Sequence, residues 1–575
     1  MRTFLRLAVL LTFGAVLDAA PLTTAFAAVP TSLNRADLQH KALQVGHPRS
    51  VLSDFNGDGF ADLAVGTPFE DVGSVGQAGA VNVLYGSALG LQATGDGGPD
   101  DQSWTQDSPD IAGDGAETGD QFGAFLAGGD FNADGFADLA IGVPFEDVGS
   151  IPLAGAVNVL YGSPAGLQVT GTGGPDDQFW TQGSNGMADA AENSDEFGIP
   201  VTAGDFNADG FVDLAIGVPD ESLPGAKGAG AVAILYGSAT GLQADGNGGP
   251  DDQFWNQDSP AVQDRAEAAD SFGSGVAAGD FNADGFTDLA ISVTLENITG
   301  VADTGAIAVL YGSGTGLQAA APDDQFWTQD SAGVRDVAEA GDKYGAYVTT
   351  GDFDADGFAD VAVGIRFEDV GTVMDAGAVS VLYGSETGLQ AIGSGGHDDQ
   401  FWTQGTGGVQ DRAEPQDRFG RALAVGDFNG DDYDDLAIAV YLEDVGSIFN
   451  AGAVAVLYGS ADGLQADGNG APDDQYWNQN SPDVQDQAEP QDGFGSAVTA
   501  GDFDGDGHGD LAVGVPNEAL GTVPSAGAVN VLYGSADGLQ AVSPDDQFWT
   551  QDTPGLAGDG AEKADDFGGA LASRH

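Results

Sequence analysis

The sequence predicts an all-β fold, a seven-bladed β-propeller of four-stranded blades, and three observations carry that prediction. Near-copies of the nine-residue stretch DFNADGFAD begin at residues 54, 130, 205, 280, 352, 427 and 502, in steps of 76, 75, 75, 72, 75 and 75. A period this regular is the mark of a repeat architecture. Each unit also carries four apolar runs of strand length, bounded by Gly, Pro, Asn and Asp. Between them nothing has a sustained 3.6-residue spacing, so no helix is expected. A linear β-solenoid would answer the same pattern, but its rungs usually repeat at shorter periods, and the propeller is preferred.

The four runs follow one another in a fixed order. The first reads like VAAGDF and the second like DLAIGVP, whose small residues suit a crowded inner strand. The third, of the type AVNVLYG, is apolar on both faces, as expected of a strand sandwiched between neighbouring sheets. The fourth is QFWTQ. All seven tryptophans (Trp104, Trp180, Trp255, Trp327, Trp402, Trp477 and Trp549) fall in it, and seven tyrosines (Tyr85, Tyr161, Tyr236, Tyr311, Tyr383, Tyr458 and Tyr533) fall in the third run. Aromatic residues that keep the repeat so strictly are expected to pack the core rather than to form a binding platform.

Between the first and second runs lies the Asp-rich loop. Oxygen-bearing side chains stand at positions 1, 3, 5 and 9, glycine at 6, and position 7 varies. Alternate side chains can then turn inward around a hard cation, with the backbone carbonyl of position 7 completing the cage. Carboxylates set this close repel one another unless a counter-ion joins them. Oxygen donors in a flexible loop favour calcium over magnesium, zinc or copper. About seven calcium ions are expected, one per repeat. In chain order the candidate ligands are Asp54, Asn56, Asp58, Phe60 and Asp62; Asp130, Asn132, Asp134, Phe136 and Asp138; Asp205, Asn207, Asp209, Phe211 and Asp213. They continue with Asp280, Asn282, Asp284, Phe286 and Asp288; Asp352, Asp354, Asp356, Phe358 and Asp360. The last two sets are Asp427, Asn429, Asp431, Tyr433 and Asp435, and Asp502, Asp504, Asp506, His508 and Asp510. An EF-hand is excluded, because its position 12 requires a bidentate Glu, and here that position is Val65, Ile141, Ile216, Ile291, Val363, Ile438 or Val513. The sixth copy, DFNGDDYDD, has Asp432 in place of glycine and an added Asp434, so a strained turn is expected there.

The units have the form FG, then DFNADGFADLAIGVP, then GAVNVLYG, and this combination resembles the FG-GAP repeat of integrin α-subunit propellers and their bacterial relatives. In the second unit the FG is Phe122-Gly123 and the GAP element is Gly142-Val143-Pro144. The resemblance runs from about residue 48 to the end and implies a seven-bladed propeller with calcium held in hairpin loops on one face. Units four, five and six depart from the Gly-x-Pro element with SVT (292–294), GIR (364–366) and AVY (439–441). The first unit has RSVLSDFN where FG is expected, and the chain finishes on FGGALASRH, the opening of a further unit. That partial repeat, 567–575, either lends a strand to the first blade and closes the ring or marks a longer array cut short.

Composition bounds the partners. A formal charge of −75, from 90 acids against 15 bases, disfavours nucleic acid and anionic membrane surfaces and suits cations. Part of that acidity is equally explained by solubility or a salty habitat. With no cysteine, disulfides, zinc thiolates and a cysteine nucleophile are excluded. Residues 1–27 have the layout of a secretory signal peptide: basic Arg2 and Arg6, an apolar run from Leu7 to Leu17, and a small-residue site at Ala25 and Ala27. That run is short of the roughly 20 residues that span a bilayer. Residues 28–47 read as a lead-in and 48–575 as the propeller. Export to the medium or the cell surface follows as an expectation.

No catalytic constellation stands out. His40, His47, His397, His508 and His575 do not follow the repeat, and neither a G-x-S-x-G elbow nor a phosphate-binding P-loop occurs. Acid pairs in PDDQ and in DRAEAAD (264–270) recur in the repeats, where a unique active site should break the symmetry. They read as loop acids, with further calcium as the other possibility. The expected function is non-catalytic: an adhesion or binding module for an extracellular glycan, matrix polymer or surface protein, with specificity in loops such as 219–231 and 294–306. A polysaccharide-acting enzyme and a calcium-cross-linked surface-layer protein are the alternatives.

Overall fold

A computed structural model describes residues 53–95, 99–171, 174–246, 250–320, 322–393, 397–468, 472–542, 544–558 and 560–573. The signal-peptide and lead-in expectations (1–27 and 28–47) lie outside them. Every regular element among the described residues is a strand, and none is a helix long and apolar enough to cross a membrane.

The strands form seven antiparallel sheets of four, each a simple meander. In the second blade the order outward from the axis is Phe125–Gly129, Asp138–Val143, Ala156–Leu160 and Gln178–Trp180. The DLAIG run is therefore second from the axis, and the innermost position belongs to the Gly- and Ala-rich first run. Both middle strands are buried along their whole length, because each is covered by a neighbouring blade on either face. The outer strand is half-buried. Each hydrophobic cluster combines residues of two adjacent blades; one unites Val157, Val159 and Tyr161 of the second with Leu214, Ile216 and Val218 of the third. The core thus lies between sheets and repeats around the ring.

The ring is closed by the two ends of the propeller. Ala570–Ala572 pairs antiparallel with Leu63–Thr67, in register Val65↔Leu571, and supplies the innermost strand of the first blade. Phe567, the phenylalanine of the last FG, is buried in a cluster with Leu63, Val65 and Val529 that joins blades seven and one. The FG that the first unit lacks is thus provided from the other end of the chain. The inner strands of all seven blades line an axial cavity of ≈ 540 Å³.

The departures from Gly-x-Pro change the inner strands locally. In the second blade a side chain at Gly142 would lie 2.6 Å from the carbonyl oxygen of Gly198 in the next FG. Blades four and six place Ser292 and Ala439 at this point, and their inner strands extend back to Phe272–Gly279 and Phe419–Gly426 with a register shift. The extra strand length comes with the loss of the close glycine contact.

Meander topology fixes which loops share a face. The Asp-rich loops, between first and second strands, lie at one end of the blades with the third-to-fourth connections. The second-to-third loops and the crossovers to the next blade lie at the other end, and segments 219–231 and 294–306 belong there.

Candidate calcium loops and a cationic patch on the opposite face

The Asp-rich loop is shaped by its own acids. In the second blade Asp130 Oδ1 accepts the amide of Asp134 at 3.1 Å, and Oδ2 accepts that of Gly135 at 2.9 Å. Asn132 Oδ1 also accepts the Asp134 amide, at 2.8 Å, and Asp134 Oδ1 accepts Phe136 N–H at 3.1 Å. The carboxylates are thereby gathered on the inside of the turn. Position 6 has φ near +90°, as at Gly135 (+93°), where glycine alone is unstrained. In the sixth loop Asp432 occupies it at φ +70°, the strain expected from the sequence. Position 4 is also left-handed, and there four loops carry alanine (Ala133, Ala208, Ala283 and Ala355, φ 52–54°), which sequence reading did not foresee.

Position 9 does two jobs. Asp138 is fully buried, accepting Phe131 N–H through Oδ2 and Gly162 N–H through Oδ1, both at 2.9 Å. Asp62, Asp213, Asp288, Asp360, Asp435 and Asp510 repeat this clamp between the loop and the third strand. Burial pushes Asp213 and Asp288 up to about 8; the backbone amides pull the other way, and acids of the same loop add to the rise. Asp62, Asp138, Asp360, Asp435 and Asp510 are raised well above the ordinary range by the same burial. Such a site favours a bound positive charge.

The residues present fit a hard cation. Oxygens of Asp352, Asp354 and Asp356 in the fifth loop lie within 4.8 Å of one another, as do those of Asp502, Asp504 and Asp510 in the seventh. Positions 1, 3 and 5 thus converge in the fifth loop, and positions 1, 3 and 9 in the seventh. Two histidines border these loops: His397 Nε2 is 3.5 Å from Asp354 Oδ2, and His508 Nδ1 is 2.8 Å from Asp506 Oδ1. The ring of His508 packs over Gly430 of the preceding loop, as Phe136 does over Gly57, so the position-7 side chain is a packing element.

The loops are also linked from blade to blade. The amide at position 8 donates to the position-1 carbonyl of the preceding blade: Ala137 to Asp54 at 2.9 Å, Val212 to Asp130 at 3.1 Å, and so on to Ala61 and Asp502 at 3.0 Å. A second link uses the repeated Tyr and Gln. Tyr85 Oη donates to Gln102 Oε1, and Gln102 Nε2 donates to the Leu167 carbonyl of the next blade at 3.0 Å. The tyrosines are buried and structural, as their periodicity implied.

In the PDDQ element the second acid is buried or half-buried and caps the preceding crossover. Asp252 accepts Ala188 N–H at 2.6 Å, and Asp474 accepts Gln410 N–H at 2.7 Å. These are structural acids: Asp474 is buried and Asp252 half-buried.

The FG-GAP repeat family matches residues 50–84, 122–160, 197–235, 272–310, 419–457 and 494–532. The chain is an FG-GAP repeat propeller. The fifth unit, which opens with Tyr344 in place of the FG phenylalanine, lies outside the matched residues. Rat phosphatidylinositol-glycan-specific phospholipase D is 32% identical over 184 residues, which is 32% of this chain and 20% of that protein. Drosophila melanogaster integrin alpha-PS2 is 27% identical over 311 residues, 51% of this chain and 19% of the integrin. The FG-GAP chain thus spans about a fifth of the length of the curated relatives it matches. Among solved structures, the exotype rhamnogalacturonan lyase YesX overlays with a TM-score of 0.36 at 8% identity, covering 90% of this chain and 81% of that one.

On the opposite face the sevenfold pattern is broken at blades five and six of this FG-GAP propeller. Arg366, the arginine of GIR, holds its guanidinium 4.7 Å from the ring centre of Phe367 and 5.7 Å from that of Tyr347. Arg418 lies 5.2 Å from Phe367, and Lys343 Nζ lies 5.5 Å from the same ring. Arg421 lies 5.4 Å from Tyr347 and 4.8 Å from Tyr441, the tyrosine of AVY. The ion pairs among the described residues involve Arg335, Arg412, His397 and His508 instead. Nε of Arg366 and of Arg418 is buried without a hydrogen-bond acceptor. Lys343 is pushed down by burial and then by the charge of Arg366. The sequence held a signal for this patch: with only 15 bases in the chain, five stand from 343 to 421, four of them in the patch, beside two departures from the repeat.

Proposed function

We propose that this FG-GAP propeller is an exported, calcium-stapled, non-catalytic binding module whose patch at blades five and six grips an acidic extracellular glycan. The observation that carries this reading is the patch: four cations held among aromatic rings, none in an ion pair among the described residues though Asp303 acts on Lys343, in a chain of net charge −75. Cations in so acidic a protein find acids easily, and an arrangement that keeps them from doing so leaves their charge for a ligand. Guanidinium groups bind carboxylates through two parallel hydrogen bonds, and the rings of Tyr347 and Tyr441 offer faces for a sugar ring. A uronate unit presents both features. Salt largely screens the net negative charge beyond about 8 Å at physiological ionic strength, so the charges nearest a docked polyanion, those of the patch, govern the contact, while the net charge slows the approach at low salt.

Calcium in the Asp-rich loops would be held by the oxygens of positions 1, 3, 5 and 9 and would fix the blade ends opposite the patch. The acids that could work as catalytic pairs recur from blade to blade and already serve as backbone caps, which supports binding without turnover. The test is retention on immobilised polyuronate and on neutral glucan in millimolar calcium, with polymer length followed in parallel. Retention by polyuronate alone, reduced at least tenfold by Arg366→Ala with Arg421→Ala, is the expected result. Equal retention of the double variant removes the patch from the function, and shortening of the polymer by the protein establishes an enzyme instead.

A further inference from the structure

Beyond the Asp-rich loops, a second set of acids recurs at the opposite end of the blades, where each crossover enters the next blade. Between blades one and two it consists of Asp114, Glu117 and Asp120 on the crossover, Glu146 on the second-to-third loop of blade two, and Gln106 at the end of blade one's outer strand. Gln106 Nε2 donates to Glu146 Oε2 at 2.5 Å. The same bond joins Gln182 to Glu221 and Gln257 to Glu296 at 2.8 Å, Gln329 to Glu368 at 2.9 Å, and both Gln404 to Glu443 and Gln479 to Glu518 at 2.7 Å. Gln551 and Glu70 repeat it across the closure of the ring. Carboxylate oxygens of Glu192, Asp195 and Glu221 lie within 4.8 Å of one another, as do those of Glu489, Asp492 and Glu518.

A cluster of acids is a common surface feature, and what sets this one apart is what it leaves unsatisfied. With its amide nitrogen spent on the glutamate, the Oε1 of all seven glutamines is buried without a donor, and each of these glutamines is at most 8% exposed. Glu146 is fully buried and its Oε1 has no partner; Asp270, also fully buried, has Oδ1 in the same condition. The amide head lies inside the acid cluster, since Gln182 also reaches Asp189 at 3.4 Å and Gln329 reaches Asp336 at 3.2 Å. Every charged neighbour acting on Glu146 is itself an acid: Asp120, Asp114 and Glu117. A buried acceptor without a donor costs about 1–3 kcal/mol, and buried charges persist only when paired or bound to metal. A proton shared between two carboxylates would ease their repulsion but leave the glutamine carbonyl unsatisfied. A cation satisfies both.

We propose that each of these clusters binds a second calcium-class dication, held by the Glu of the second-to-third loop, the Glu and final Asp of the crossover, and the glutamine Oε1. The donors are all oxygens, mostly carboxylate, drawn from flexible loops of two adjacent blades, which is the set that suits calcium and not zinc or copper. Such an ion cross-links consecutive blades at the end opposite to the Asp-rich loops. The site stands on different residues from the patch and does not depend on its ligand.

The test is the calcium content of the full chain, stripped with chelator and titrated with calcium chloride at neutral pH, read by calorimetry and elemental analysis. Two ions per blade are expected. Glu221→Gln and Glu518→Gln keep the side-chain shape and an oxygen for the glutamine amide, and each is expected to remove one ion. A wild-type content of one ion per blade, unchanged in both variants, overturns the proposal, and because that count needs no variant it decides the question even if a variant misfolds. One ion per blade that Glu221→Gln reduces would instead uphold this site and sink the Asp-rich loops as calcium sites.

Discussion

At one end of each blade the acids of the Asp-rich loop accept backbone amides in succession, so that Asp130, Asn132 and Asp134 are each engaged before any ion arrives. At the other end Glu146 is equally buried but accepts one side-chain bond and leaves an oxygen idle, beside three further acids. The first end is shaped mainly by local sequence, since its acids bond within the nine residues and to the amide after the third strand, while the position-7 ring and the position-8 amide reach the preceding blade. The second is assembled from two blades and rests on a contact between Gln106 and Glu146. Like acids therefore behave differently at the two ends: a loop that builds its own cage keeps its form alone, whereas a cage shared between blades depends on the ring.

The comparison can be broken most forcefully by removing calcium altogether. A ligand bound only to the folded state stabilises it by RT ln(1 + [L]/Kd), about 1 kcal/mol per site for extracellular modules at millimolar calcium. Summed over the seven loops, chelation is expected to lower the melting temperature by roughly 6 °C in differential scanning calorimetry. A melt that ignores chelator would remove calcium from both ends. Next in size is Asp138→Ala, which orphans the buried amides of Phe131 and Gly162; a loss of about 2–5 kcal/mol is expected in denaturant unfolding. A loss below about 1 kcal/mol would show that the position-9 clamp is dispensable.

The opposite end makes its own prediction through pH. Burial first, and then neighbouring acids, push Glu146 up to about 8 and Glu443 up to about 9, against 4.5 for an ordinary Glu. The folded chain thus holds more protons than the unfolded one between about pH 4.5 and 8, so in chelator its stability should fall as pH rises through that window. Calcium, by replacing those protons, should flatten or reverse the trend. Thermal melts from pH 5 to 8 with and without calcium would show it, and a calcium-free chain that gains stability toward pH 8 contradicts these burials. The smallest effect belongs to one loop. Asp432→Gly relieves a left-handed residue at φ +70° and is expected to add about 0.5–1 kcal/mol. A loss of stability there would mean that the Asp432 side chain matters more than its backbone strain.

Much of the Asp-rich face was legible because its determinants are local. Spacing in DFNADGFAD placed the oxygens at 1, 3, 5 and 9, and the bend at position 6 followed from glycine. The left-handed alanine at position 4 was not legible, since alanine gives no warning of positive φ. Nor was the bond from the position-8 amide to the preceding blade, which any residue can make: alanine, valine, threonine, aspartate and glycine all do. The patch escaped for a different reason. Arg366 and Tyr441 were visible as departures from Gly-x-Pro, but 75 residues separate them, and only the packing of blade six against blade five brings Arg421 between Tyr347 and Tyr441.

The sequence by itself determined the repeat, the four strands of each unit and the Asp-rich turns, because strand patterning and turn chemistry act over fewer than ten residues and recur seven times. Tertiary structure alone decided that Ala570–Ala572 completes the first blade, that the glutamine of one blade meets the glutamate of the next, and that four scattered cations share one surface. Those are contacts between blades, set by how sheets stack around an axis, and no short stretch of chain contains the information to specify them.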